Sequence, residues 1–388
     1  MKPRTNLDSF TTETESREAH KADHRLLHGR LSADNYVLTG GTLAHIQEAV
    51  ADAKADGAGV NAGVVTLGPG DYVLSDTADL FRGALGLQIQ GCGQATRFIC
   101  DFNDTTRAMV KIANAQRCYL EDVQFVVPNG KAAKAAVQIV YDHGAGINTR
   151  WNHLRNAVIR VEGGTLTYGI LIGDDDGALY RDNTNDFHKL EDVEIHGVTE
   201  AGCAIIGGNS YQNVFRDCQF HDGKYGVFAG RGSYSWWRGG MYGQSIACFT
   251  KGHWYGSVEI HSVVCEGTEC FIRTSGGDFV VVNARWADNG SEGMKAVYVD
   301  TPGAEVQMTF TQCLFGDGGK QNEDGEEIAD RPIVFDCTNA GANSAIEFDK
   351  CVMYSTADPL FLGVHKVYRN VRVLDEQRNI RQLLPDIP

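Results

Sequence analysis

Short stretches in which alternate residues are apolar recur along the chain, rich in Val, Ile, Phe and Trp and followed by Gly or Asp. Four of them, VFRDCQF from Val214, WWRGGMY from Trp236, VEIHSVV from Val258 and VVVNARW from Val280, begin 22 residues apart. That frame puts Phe215, Trp237, Glu259 and Val281 at one position. It continues at Phe310 and Phe348, and upstream at Leu190, Leu154, Leu120 and, more loosely, Leu87. Period-2 alternation predicts β-strands, and a fixed repeat of this length predicts a solenoid whose coils bury their apolar side on one another. One inward position is small in nearly every rung: Val123, Ala157, Val193, Cys218, Gly240, Ser262, Ala284, Cys313 and Cys351. Stacked parallel strands produce such a column, because each coil meets the same packing gap. A second strand per coil begins near Tyr168, Cys203, Tyr225, Ile246, Glu269 and Ala296. The expected fold class is an all-β solenoid, a single-stranded right-handed parallel β-helix of about ten coils. Its stacked neighbours Cys248 and Cys270 are expected to share one column.

One stretch has helical periodicity. Thr42 is a good N-cap, and Leu43, Ile46, Val50 and Ala53 form one stripe in a helix ending near Ala55. GVVTLGPGDYVL follows from Gly63, then LQIQGCG from Leu87. A helix, then V-x-L-x-x-G-x-Y-x-L, then LQIQGCG resembles the opening of the pectin-lyase-like right-handed β-helix superfamily. That resemblance implies an N-terminal helix plugging the open end of the coil stack. It implies no single reaction, since the fold hosts hydrolases, lyases, epimerases and inert fibres.

Composition then narrows the class. The net charge of −15 argues against nucleic acid and anionic membranes as partners. No apolar run approaches a membrane span. The first 30 residues lack the apolar core of a secretory signal. Eleven Cys without compact spacing predict free thiols in a chain made in a reducing cytoplasm. Three parts are expected: a polar segment 1–34, the β-helix 35–364, and an arm 365–388 that caps the last coil or reaches a neighbouring subunit. His20, His24 and His28 would share a helix face, suited to a subunit contact or, less simply, to a metal.

Candidate chemistry lies in the turn after each rung, at Gly197, Asp222, Gln244, Glu266, Asp288 and Asp317. Glycosidic cleavage needs two carboxyl groups, about 5–5.5 Å apart in retaining and about 6.5–9.5 Å apart in inverting enzymes. Strands stacked about 4.8 Å apart offer either spacing. Asp222, Glu266 and Asp288 are therefore the catalytic candidates, although Asp-Gly and Glu-Gly are also ordinary turn sequences. Tyr234, Trp236, Trp237 and Trp254 crowd the same coils and suit sugar-ring faces. Arg216 and Arg238 suit carboxylated sugars. Asp174, Asp175, Asp176, Asp182 and Asp186 offer oxygen ligands for calcium, the setting of a calcium-dependent lyase. No metal or cofactor is otherwise expected.

The ordered motifs of polygalacturonases (N-T-D, D-D, G-H-G, R-I-K) and the Y-G-F-D-P-H signature of mannuronan epimerases are absent. What remains resembles bacteriophage tailspike β-helices. This implies a homotrimeric virion protein, docked to other virion proteins by its N-terminal segment, that binds and often cleaves a bacterial surface polysaccharide. Two alternatives stay open: a non-catalytic virion component using the β-helix as a rigid spacer, and a free polysaccharide lyase.

Overall fold

The computed structural model describes residues 35–38, 40–56, 63–141, 148–174, 185–206, 210–230, 232–251, 257–287, 295–316 and 333–354. It also describes the C-terminal stretches 361–363, 366–369, 371–374 and 380–384. The chain is a parallel β-helix. Among the described residues there is one helix, α1 (Leu43–Asp56), which buries Leu43, Ile46, Val50 and Ala53, the expected stripe, against the first coils. Its start is capped from inside the first turn: the His45 imidazole accepts the Thr42 N–H at 3.3 Å, the reciprocal half of a capping box. No described helix is long and apolar enough to cross a membrane.

The inward ladder runs through Val65, Ile89, Leu120, Leu154, Leu190, Phe215, Trp236, Ile260, Val281, Phe310 and Phe348, each paired in parallel with the next, and the strands Asn35–Leu38 and Lys366–Arg369 extend the stack at its two ends. The described coils thus outnumber the ten expected, and the frame differs from the 22-residue repeat. Trp236 and Ile260, not Trp237 and Glu259, stand between Phe215 and Val281. The stack passes residue 364: Lys366–Arg369 and Val371–Leu374 form one more rung, on which Ile380–Leu384 pairs antiparallel.

The frame slips because the coils are unequal: Phe215, Trp236, Ile260 and Val281 are 21, 24 and 21 residues apart, which averages 22. Each rung also bends. Asp122, Asn156, Asp192, Asp217, Arg238, Ser262, Asn283, Gln312 and Lys350 all have φ between 46° and 60°. A left-handed residue turns the strand and interrupts alternation, so two adjacent side chains face solvent at the corner, as Trp237 and Arg238 do. The small residue just after the corner points inward. Register makes this column Val123, Ala157, Val193, Cys218, Gly239, Val263, Ala284, Cys313 and Cys351, with Gly239 and Val263 replacing the expected Gly240 and Ser262. Gly239 is obligatory, since a Cβ there would lie 1.9 Å from the Cys218 carbonyl oxygen.

Among the described residues, a second sheet of ten strands, from Asn103–Ala113 to Phe361–Gly363, closes the coils from residue 103 onward. Cys248 pairs with Ile272 and Cys270 with Ile246, so the two thiols occupy different columns. All eleven Cys are free of disulfides.

A polar column lines one turn. Asn152 Oδ1 accepts the Cys118 N–H, His188 Nδ1 accepts the Asn152 N–H, and Asn213 Oδ1 accepts the His188 N–H, at 3.1, 3.3 and 3.2 Å. With Nδ1 accepting, Nε2 carries the proton and donates to Asn185 Oδ1 at 2.9 Å. Burial keeps this imidazole neutral, its pKa pushed down from 6.5 to about 3. The unfolded chain then binds a proton below about pH 6.5 that the folded chain refuses, so stability present above that pH is lost as pH falls towards 3. His188→Asn, which copies its neighbours in the column, is expected to flatten the fall in thermal midpoint between pH 6.5 and pH 4. An unchanged acid slope would show that His188 does not carry it.

Candidate functional site

Two solvent faces meet at the corner of each rung. On the first, the outward row is Glu121, Arg155, Glu191, Arg216, Trp237 and His261. Its charges alternate and pair: Arg155 lies 2.6 Å from Glu121, and Arg216 lies 3.6 Å from Glu191. Lys189 also reaches Glu191 at 2.7 Å, and this hydrogen bond holds the Glu191 carboxyl below the usual range. The row ends in an aromatic shelf. The Trp237 indole is 40% exposed and lies flat against the His261 ring, 3.8 Å apart and 3° from parallel. Arg238 stands beside it at the corner, held by Asp217 at 2.6 Å.

The sequence reading missed a second shelf at the turn before this face. Trp151 and Phe187 are 41% and 37% exposed and stack at 5.7 Å, with the Arg117 guanidinium 5.3 Å from the Trp151 ring. Both aromatics have left-handed backbones, φ 55° and 61°, unusual for large side chains. Each immediately precedes a member of the buried column, Asn152 or His188, whose hydrogen bonds fix the turn. An aromatic directly before a buried polar residue, repeated one coil on, was the available sequence signal.

The second face carries titratable groups. After the corner, the outward row is Arg160, His196, His221, Tyr242 and Glu266. His196 and His221 stack at 4.2 Å, and His221 and Tyr242 at 4.8 Å. Burial lowers the His221 pKa, reinforced by His196 beside it; burial also raises that of the Tyr242 phenol. Glu194, two residues before His196 on the same face, hydrogen-bonds its Nε2. Gly240 leaves room for the phenol to fold back towards the corner; a Cβ there would lie 2.3 Å from Tyr242 Oη.

These faces redistribute the expected site. Trp237, Arg216 and Arg238 are exposed as expected. Tyr234 and Trp236 are 1% and 0% exposed and pack inside the coil, so neither meets a ligand. Asp222 is exposed in the turn, but it stacks with Gly243, whose neighbour in the next coil is Gly267. Glu266 sits one position earlier, in the His221 row. The single acidic column is therefore replaced by two carboxylates in adjacent columns, two coils apart. Gln244 is buried and donates to the Phe220 carbonyl. Trp254, Asp288 and Asp317 lie outside the described residues, as do Asp175, Asp176, Asp182 and the N-terminal histidines. Of the expected calcium ligands, Asp174 pairs with Lys134 at 3.4 Å, and Asp186 is buried where it accepts the Tyr211 N–H.

No protein-family model matches the sequence, and no curated protein sequence matches it. Among solved structures, the chain is similar to the tailspike protein gp49 of the Acinetobacter baumannii bacteriophage Fri1, a capsular polysaccharide depolymerase. The TM-score is 0.51 at 11% identity, over 92% of this chain and 66% of that one. The Agl-KA catalytic domain gives a TM-score of 0.47 at 12% identity, over 85% of this chain and 65% of that one. ORF18 of Geobacillus virus E2 gives 0.46 at 9%, over 97% and 64%. The chain thus spans just under two thirds of each of these proteins. At such identities the likeness is one of fold.

Proposed function

We propose that this chain is a tailspike-type β-helix that binds a bacterial surface polysaccharide along its outer faces and cleaves it by hydrolysis. The row from Arg160 to Glu266 carries this reading. Five consecutive coils turn a guanidinium, two imidazoles, a phenol and a carboxylate outward, where a merely structural sheet surface needs only small polar side chains. Proton transfer at a reacting bond needs groups of these types within reach of one ligand. Trp237 and His261, on the same coils across the corner, supply a flat apolar shelf of the kind sugar rings pack on. Arg155, Arg216 and Lys189 favour a polymer bearing carboxylates.

Asp222 and Glu266 are the proposed acid and base. Their backbones are two strand spacings apart, about 9.6 Å, which side chains leaning together bring into the range for inversion. The experiment is incubation with a panel of bacterial capsular and cell-wall polysaccharides, reading new reducing ends. Release from one polymer supports hydrolysis. Binding without release favours the attachment reading. Unsaturated products favour a lyase.

A virion location and a homotrimer are part of the proposal, with residues 1–34 making contacts outside the stack. Light scattering at micromolar concentration is expected to give three times the 42.3 kDa chain mass. A monomer would contradict the trimer.

A further inference from the structure

We propose that Glu194, His196 and His221 form a site for one divalent transition metal of the zinc type. One donor atom from each of the three lies within 4.8 Å of those of the other two. Glu194 and His196 are two apart on one strand and so share its outer face, and His221 is the direct parallel partner of His196 on the next strand. Nε2 of His221 is shut off from solvent and has no hydrogen-bond partner among the described residues. An imidazole nitrogen in that position lacks the partner that buried polar atoms normally find. A supporting contact holds His221 in place. Tyr242 stacks on it from the next coil.

Two imidazoles and a carboxylate are a borderline donor set. They suit zinc, with a fourth position open to water, and do not suit calcium or magnesium, which take oxygen ligands. Zinc bonds of about 2.0–2.2 Å need the donors drawn closer together than 4.8 Å. The ion takes the place of the proton that His196 Nε2 shares with Glu194; that proton is exchanged for one on Nδ1, so the bound imidazole stays neutral. Arg160, one coil before His196, is the unfavourable charge nearby, and Asp222, next to His221, opposes it. This site stands whether or not the chain cleaves a polysaccharide, because its test reads metal and not products.

The test uses full-length protein stripped with chelator, then titrated calorimetrically with zinc and assayed for retained metal after gel filtration. The expected result is about one zinc per chain, not displaced by calcium or magnesium, and a visible cobalt(II) spectrum of a four-coordinate ion. His196→Asn, His221→Gln and Glu194→Gln are each expected to weaken binding roughly tenfold or more. Each variant is checked for an unchanged unfolding midpoint without metal, so that a folding defect in one leaves the other two decisive. Combined replacement of His20, His24 and His28 by Ala is expected to leave zinc binding intact. No retained zinc, or binding lost with the N-terminal histidines and kept in the three site variants, would overturn the proposal.

Discussion

Replacing Glu266 by Gln is expected to slow polysaccharide cleavage about 10²–10⁴-fold, the usual contribution of a positioned acid or base, with polymer binding unchanged. Glu266 is half-buried at the end of the outward row, beside the Tyr242 phenol. The amide keeps the shape of the side chain and its place on the strand but cannot give or take the proton. Asp222→Asn should show the same loss, because inversion needs both groups. Rates with the productive polymer, set beside its binding isotherm, separate the two effects. Wild-type rates in both variants would remove these carboxylates from the chemistry and shift attention to His221 and Tyr242.

The adjacent tryptophans should respond in opposite ways. Trp236→Ala is expected to cost about 3–5 kcal/mol of stability, the range for deleting a fully buried aromatic. Its ring meets Phe220 at 4.8 Å and Phe215 at 5.7 Å, and its Nε1 donates to the Arg238 carbonyl at 2.7 Å. Losing it opens a cavity beneath the corner of the coil. Trp237→Ala removes an exposed ring that touches mainly His261, and should cost under about 1 kcal/mol. Polymer binding should nevertheless weaken by about tenfold, or ~1.4 kcal/mol. Denaturant unfolding and binding isotherms of the two variants read both quantities. If Trp237→Ala unfolds the protein and Trp236→Ala does not, the 22-residue frame is right and the ladder described above is wrong.

That contrast also marks where the sequence stopped being legible. Alternation and spacing showed a parallel solenoid, its helix and its second strand, because these depend only on which side chains are apolar. The frame within a rung depends on the left-handed corner. Asp122, Asn156, Asp192 and Asp217 announce it, since Asn and Asp tolerate positive φ. Arg238 and Ser262 do not, and there the inferred column moved by one, to Gly240 and Ser262. Coils of 21 and 24 residues, hidden inside an average of 22, made Trp236 an even choice with Trp237 and grouped Asp222 with Glu266 in one column. Asp222, Trp237 and Glu266 lie in three consecutive coils. Their division between two faces was hidden, because a corner adds no residue to the count yet turns every later side chain to a new side. The Trp151–Phe187 shelf was missed for a related reason: it lies in a turn, outside the repeating strands that were counted.

Hydrolysis by the proposed pair, Asp222 and Glu266, would set the configuration of the products. Its most direct measurement is proton NMR of the first products released from whichever polymer in the panel the chain binds. The account predicts new reducing ends of inverted anomeric configuration, with no unsaturated sugar. Retained configuration, an unsaturated product, or tight binding with no cleavage at all would contradict it.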